Sequence, residues 1–105
     1  MTLGDAMVSI WQQALGERRE VIDLEGATYP VTLLKAKGLR MVEFDLGPYR
    51  IAGIQQNPRT ESRWAELARQ GSRIMQFRCN GRYVANVCEG KLFPYPAWKA
   101  LELPE

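Results

Sequence analysis

Histidine is absent from the 105 residues. That absence removes Ser-His-Asp and Cys-His arrangements, imidazole acid–base chemistry and histidine metal ligands in one stroke. Cysteine is scarce, with Cys79 and Cys88 alone. Glycines fall singly at turns, apart from Gly53 inside a strand pattern, so no Gly-rich phosphate loop is formed. Spanning a bilayer takes about 20 predominantly apolar residues, and no run approaches that length. Residues 1–16 carry no Lys or Arg, and Asp5, Ser9, Gln12 and Gln13 interrupt their apolar positions, so neither a signal peptide nor a membrane span is read there. The expectation is a protein with no membrane partner, in the cytoplasm. No resident cofactor is expected either, because nothing resembles a spaced metal loop.

What is present is led by Asn80-Gly81, set between Ser72–Cys79 and Arg82–Cys88. Asn-Gly supplies the two positive-φ residues of a type I′ hairpin. A two-residue loop fixes the register: Cys79 opposite Arg82, Arg78 opposite Tyr83, Phe77 opposite Val84, Met75 opposite Asn86 and Arg73 opposite Cys88. Cys79 and the partner of Cys88 then lie six positions apart, about 20 Å along a strand. A disulfide needs Cα atoms within about 7 Å. Two free thiols therefore point to a reducing compartment. The same register puts Met75, Phe77, Cys79, Val84 and Cys88 on a core face, and Ile74, Gln76, Arg78, Tyr83, Ala85 and Val87 on the other.

Elsewhere the periodicity predicts a helix from Asp5 to Leu15, with Met7, Ile10, Trp11 and Ala14 as its apolar stripe and Gly16 at its end. After the charged run 17–20, Val21–Leu24 reads as a short edge strand. Three strands follow, Thr28–Ala36, Leu39–Leu46 and Tyr49–Gln56, separated by Lys37-Gly38 and Gly47-Pro48 as in an antiparallel meander. The period then switches at Asn57-Pro58-Arg59-Thr60 to a second helix carrying Trp64, Leu67 and Ala68, capped by Asn57 or Thr60. The hairpin comes next, then an aromatic and proline-rich segment, Leu92–Trp98, that runs into a short helical turn. This order predicts a single α+β domain over residues 1–105. Its sheet is five- to six-stranded and mainly antiparallel, with an N-terminal helix and a central helix packed on one face. An OB-like partly closed barrel with an added N-terminal helix has the same element order.

The net charge of +2 does not by itself imply a nucleic-acid partner, but its placement is uneven. Between Arg59 and Arg82 stand six Arg against two Glu; the rest of the chain holds 8 basic and 10 acidic residues. Arg suits bidentate phosphate or carboxylate contact. Two groups of residues carry this reading. Gln55, Gln56, Asn57, Arg59, Thr60 and Arg63 collect amides, a hydroxyl and charge at the start of a helix, where free N–H groups attract anions. Arg78, Arg82 and Tyr83 on the hairpin place cations beside a ring in a way that can stack a base. The function expected is a binding or adaptor module for an anionic partner, either nucleic acid or an acidic protein surface. One alternative is a small enzyme, thiol-dependent through Cys79 or Cys88, or metal-dependent through Asp23-x-Glu25 and Glu43-x-Asp45. The other is a homo-oligomerising structural protein that pairs hairpin and tail surfaces. Phe93, Tyr95 and Trp98 read either as an aromatic platform or as a seal on the core.

Overall fold

Asn80 and Gly81 take φ values of 52° and 86°, the pair of left-handed conformations that a type I′ turn needs. Around them β6 (Ile74–Cys79) pairs antiparallel with β7 (Arg82–Cys88). The first two pairs, Cys79 with Arg82 and Arg78 with Tyr83, fall where the turn dictates. Beyond them the register departs from expectation. Phe77 faces Ala85, Met75 faces Val87, and Ile74 faces Cys88, because Val84 is an extra residue in the ladder. A bulge of this kind exchanges the faces of everything that follows it. Ala85 and Val87 thus belong to the core face, and Cys88 leaves it for the face shared by Ile74 and Asn86.

We describe residues 2–17, 21–101 and 103 from a computed structural model; of the charged run at 17–20, residues 18–20 lie outside this description. The remaining elements are α1 (Leu3–Trp11), which continues as a wider π-type turn over Gln12–Glu17, β1 (Val21–Leu24), β2 (Ala27–Pro30), β3 (Thr32–Ala36), β4 (Leu39–Leu46), β5 (Tyr49–Gln55), α2 (Arg63–Arg69), β8 (Lys91–Pro94) and α3 (Pro96–Ala100). Strands β3 to β8 form one antiparallel sheet in sequence order. Its outer strands β3 and β8 are not paired with each other, so the sheet is open and the OB-like alternative does not hold. The segment expected as one strand, Thr28–Ala36, is cut at Pro30, which cannot donate to a ladder. Its first part pairs with β1 in a separate two-stranded sheet, Val21 opposite Pro30 and Leu24 opposite Ala27. The segment after Glu89-Gly90 forms a sixth ladder strand, with Asn86 opposite Phe93 and Cys88 opposite Lys91.

Strand alternation places Val42, Phe44, Ile51, Phe77, Met75, Ala85 and Val87 on one face, all buried. Against them lies α1 through Leu3, Ala6, Met7, Ile10 and Trp11, joined by Ile22 and Leu24 of β1. Thr2 caps α1, its hydroxyl oxygen accepting the Asp5 N–H at 3.0 Å. Gly53 is where β5 crosses beneath this core: a Cβ there would stand 2.6 Å from the Met75 sulfur and 2.9 Å from the Phe77 ring. Helix α2 starts later than its apolar pattern suggests. Ser62 is its cap, accepting the Ala65 N–H at 3.0 Å, whereas Asn57 accepts from Arg59 at 2.9 Å and the Thr60 hydroxyl donates to the Asn57 carbonyl at 3.0 Å. These two close a turn ahead of the helix instead of capping it. Trp64 of α2 meets Phe93, ring centroids 5.2 Å apart, and Phe93 shares the sheet face opposite α1. The two helices therefore serve opposite faces, not one.

Candidate functional site

At one end of the sheet the Lys37-Gly38 turn, the end of β5, the start of β6 and the C-terminal end of α2 come together around a cleft of about 510 Å³. Lys35, Arg40 and Arg73 line it, with the Gln55 and Gln56 amides, the Ser72 hydroxyl and apolar Leu15, Pro58 and Ile74. Among the described residues, none of the lining side chains is a carboxylate.

The β3–β4 hairpin builds the cationic wall. Its two-residue turn pairs Ala36 with Leu39 and therefore Lys35 with Arg40. Two like charges directly opposite on a strand pair repel, and here the described partners of Arg40 are neutral polar groups. The Arg40 guanidinium donates from Nη1 to the Leu15 carbonyl at 2.8 Å, and its backbone N–H donates to Gln55 Oε1 at 3.2 Å. An anion between the two cations removes the repulsion that the fold leaves in place. Arg73 is held more firmly. Its guanidinium lies 5.2 Å from the Trp11 ring centroid and 3.5 Å from Glu89, and its carbonyl accepts the Trp11 indole N–H at 3.0 Å. The Arg73 backbone N–H donating to Glu89 at 2.6 Å, with help from the guanidinium, holds the Glu89 carboxyl below its usual range. Among the described residues Lys35 and Arg40 thus carry charge that no carboxylate meets, and Arg73 adds a part-neutralised one.

Gln56, a lining residue of the cleft, carries an unmet hydrogen-bonding group enclosed within the protein. The residue is only 9% exposed, its backbone N–H donates to the Ile74 carbonyl at 2.9 Å, and its side-chain oxygen is buried without a donor. An unsatisfied buried acceptor costs about 1–3 kcal/mol.

The nine residues singled out from the sequence divide into separate places. Gln55 and Gln56 line the cleft. Asn57, Arg59 and Thr60 form the turn before α2, with the Arg59 guanidinium donating to the Lys37 carbonyl at 2.9 Å. Arg63 is exposed at the first turn of α2. Arg78 lies over the Tyr83 ring, 5.2 Å from its centroid, on the face away from α1, three residues and about 10 Å along β6 from the Met75 level of Gln55. Arg82 sits beside the hairpin tip on the other side of the ladder, opposite Cys79. The residues that sequence reasoning passed over are Lys35 and Arg40. Their signal was available: the Lys37-Gly38 turn fixes their pairing as firmly as Asn80-Gly81 fixes that of Arg78 and Tyr83.

The face opposite α1 carries a second orphan. Tyr95 Oη accepts the Gln76 amide N–H at 3.1 Å and also that of Asn86, while Asn86, fully buried, keeps a side-chain oxygen without a partner. Tyr95 is thereby a ligand of the sheet and Trp98 part of the core, so only Phe93 of that aromatic trio is exposed. The expected chemical pairs are otherwise engaged. Glu43 and Asp45 both reach Arg50, at 3.3 and 3.4 Å, and Asp23 and Glu25 lie in and beside the separate β1–β2 sheet. Among the described residues, no three acidic or cysteine side chains gather to hold a metal. Burial pushes the Cys79 thiol up, and burial with the nearby Glu89 charge does the same at Cys88 against a lowering hydrogen bond from Ser72. Neither is poised as a thiolate. Both are free. Comparison with known families, curated proteins and solved structures gives no match.

Proposed function

We propose that the chain is a small binding module for an anionic partner, engaged through the cleft at the Lys37-Gly38 end of the sheet. The observation that carries this reading is the facing pair Lys35 and Arg40, set in a wall that holds no carboxylate among the described residues. Arg59 and Arg63 lie on the loop and first turn leading into α2 and add to the field that draws an anion in. The cytoplasmic setting belongs to the same proposal and is supported by the two unbridged thiols; no described helix is long and apolar enough to cross a membrane.

Titration calorimetry with inorganic tripolyphosphate at low salt tests the reading. Binding should weaken steeply as salt rises, and Lys35→Glu should weaken it by about tenfold or more. Absence of tripolyphosphate binding at low salt, or unchanged affinity in Lys35→Glu, overturns it.

A second reading, self-association, is favoured by the open edge of β3, where Leu33 and Leu34 are 38% and 43% exposed. Edges of this kind pair with other strands unless blocked. Light scattering over a concentration series, with Leu34→Lys as the disrupting variant, decides it: a monomer at every concentration removes this reading.

A further inference from the structure

We infer that the open edge of β3 takes up an extended acidic segment of a partner protein as an added antiparallel strand. The inference rests on the anion-binding reading and names the partner that brings the charge. Lys37 and Gly38 take φ values of 53° and 79°, so the β3–β4 turn is type I′ and the pair it closes, Ala36 with Leu39, is hydrogen-bonded. Alternation then turns the N–H and C=O of Leu33 and Lys35 away from β4, toward a side of β3 that no described strand pairs with. The opposite outer strand is blunted. The Glu89-Gly90 turn sets the same alternation in β8, and there it is Pro94, without an N–H, that faces outward. A strand added to β3 places one residue directly opposite Lys35, Cβ atoms about 5 Å apart, in the row that already holds Arg40. An acid at that place meets both cations beside the cleft that they line. The next two residues fall against Leu34 and Leu33, 43% and 38% exposed on the two faces of the edge, and apolar side chains there cover them. A second copy of β3 suits this edge less well. On the face of Lys35 the hairpin carries Leu33, Lys35, Arg40 and Val42, so it brings more positive charge and no acid.

The experiment titrates isotope-labelled protein with the end-blocked peptide Thr-Glu-Val-Val-Thr, whose Glu lies opposite Lys35 in this register, and follows amide shifts and amide hydrogen exchange by NMR. One control peptide carries Lys in place of Glu. Another is N-methylated at the Glu and the second Val, the residues whose N–H groups face β3. Tripolyphosphate is titrated into the same samples. The Glu peptide should slow exchange at the Leu33 and Lys35 N–H groups and leave Leu34, already bonded to β4, as it was. The Lys peptide should bind about fivefold or more weaker, and the N-methylated one should not bind measurably. Lys35→Glu relieves the repulsion with Arg40, so it should fold, and it should reverse the preference between the Glu and Lys peptides. No binding of the Glu peptide, equal binding of its N-methylated form, or an unchanged preference in Lys35→Glu overturns the inference. Slowed exchange at Leu33 and Lys35 that grows with protein concentration in the absence of peptide also overturns it, and gives the edge to a second copy. Where tripolyphosphate still binds beside any of these results, the anion reading stands alone. If neither the peptide nor tripolyphosphate binds, both fail.

Discussion

The two ends of the six-stranded sheet treat positive charge in opposite ways. Near the Gly47-Pro48 turn, Arg50 is met by Glu43 at 3.3 Å and Asp45 at 3.4 Å, so a shallow cleft of about 270 Å³ bordered by all three has its charge offset from within. At the Lys37-Gly38 end Lys35 faces Arg40 directly, and the cleft beside them admits no carboxylate among the described residues. Both ends rest on the same strands and the same core. What separates them is two side chains: acids stand opposite and diagonal to Arg50, and among the described residues glutamine, not acid, stands beside Arg40. Among the described residues the repulsion between Lys35 and Arg40 is not relieved by an acid, and the proposed anion site rests on that contrast.

The most drastic way to break the comparison is to remove the support that both ends share. Gly53→Val forces its side chain against Met75 and Phe77, already within 2.9 Å of an added Cβ. Overpacking of this kind costs about 3 kcal/mol, so the thermal midpoint should fall steeply and both ends should be lost together. The next test exchanges the character of the ends. Adding acid by Lys35→Glu should lower tripolyphosphate affinity about tenfold or more, whereas Glu43→Gln combined with Asp45→Asn should leave that affinity intact and create a second, weaker anion site at Arg50. Because exposed ion pairs contribute about 0–1 kcal/mol, the double variant should melt near the wild type. Calorimetric stoichiometry reads the outcome, and a single site in the double variant contradicts the account of Arg50.

Smaller effects sharpen the picture at the cleft itself. Ser62→Ala removes the α2 cap and should cost about 1 kcal/mol in denaturant unfolding. The smallest concerns Glu89, whose carboxyl is held below its usual range by Arg73. A group with a depressed folded value contributes stability that is present above its unfolded value and disappears as the pH falls through the folded one. Stability should therefore decline slightly more in acid for the wild type than for Glu89→Gln, as a difference in midpoint measured below the ordinary carboxylate range. A parallel decline in both would show that the contact is too exposed to matter.

Much of the fold could be read from local chemistry, and the exceptions share a cause. The first pairs of the β6–β7 hairpin, the limits of β4 and the apolar stripe of α1 each follow from one strong local signal: Asn-Gly, strict alternation, or helical spacing. Pro30 was also a strong signal, and its power to divide Thr28–Ala36 between two sheets went unread. The β8 ladder was hidden because Glu89-Gly90 lacks the asparagine that marks such turns, although Glu89 adopts a positive φ of 48°. The bulge at Val84 has no composition of its own, since Val84 and Ala85 are equally at home in a core. The Arg-rich stretch from Arg59 to Arg82 was legible as charge but not as place. Alternation along β6 and the loop before α2 sends those side chains to different faces, whereas the facing of Lys35 and Arg40 is a fact of register, not of composition.

The extra residue at Val84 also sets a rule of parity for this chain. Every residue from Ala85 to the end of β7 owes its face to a count that is odd by one, and so does Tyr95, whose backbone N–H is anchored to the Val84 carbonyl at 2.8 Å. Pairing Val84 directly with Phe77 would invert the strand: Asn86 would turn into the core opposite Met75, Ala85 and Val87 would turn out, and the phenol of Tyr95 would lose the amide it holds. Deleting Val84 would leave Ala85 opposite Phe77 in an unbroken ladder and remove the carbonyl that holds Tyr95, so in this hairpin the side a strand shows depends on leaving one residue out of the pairing.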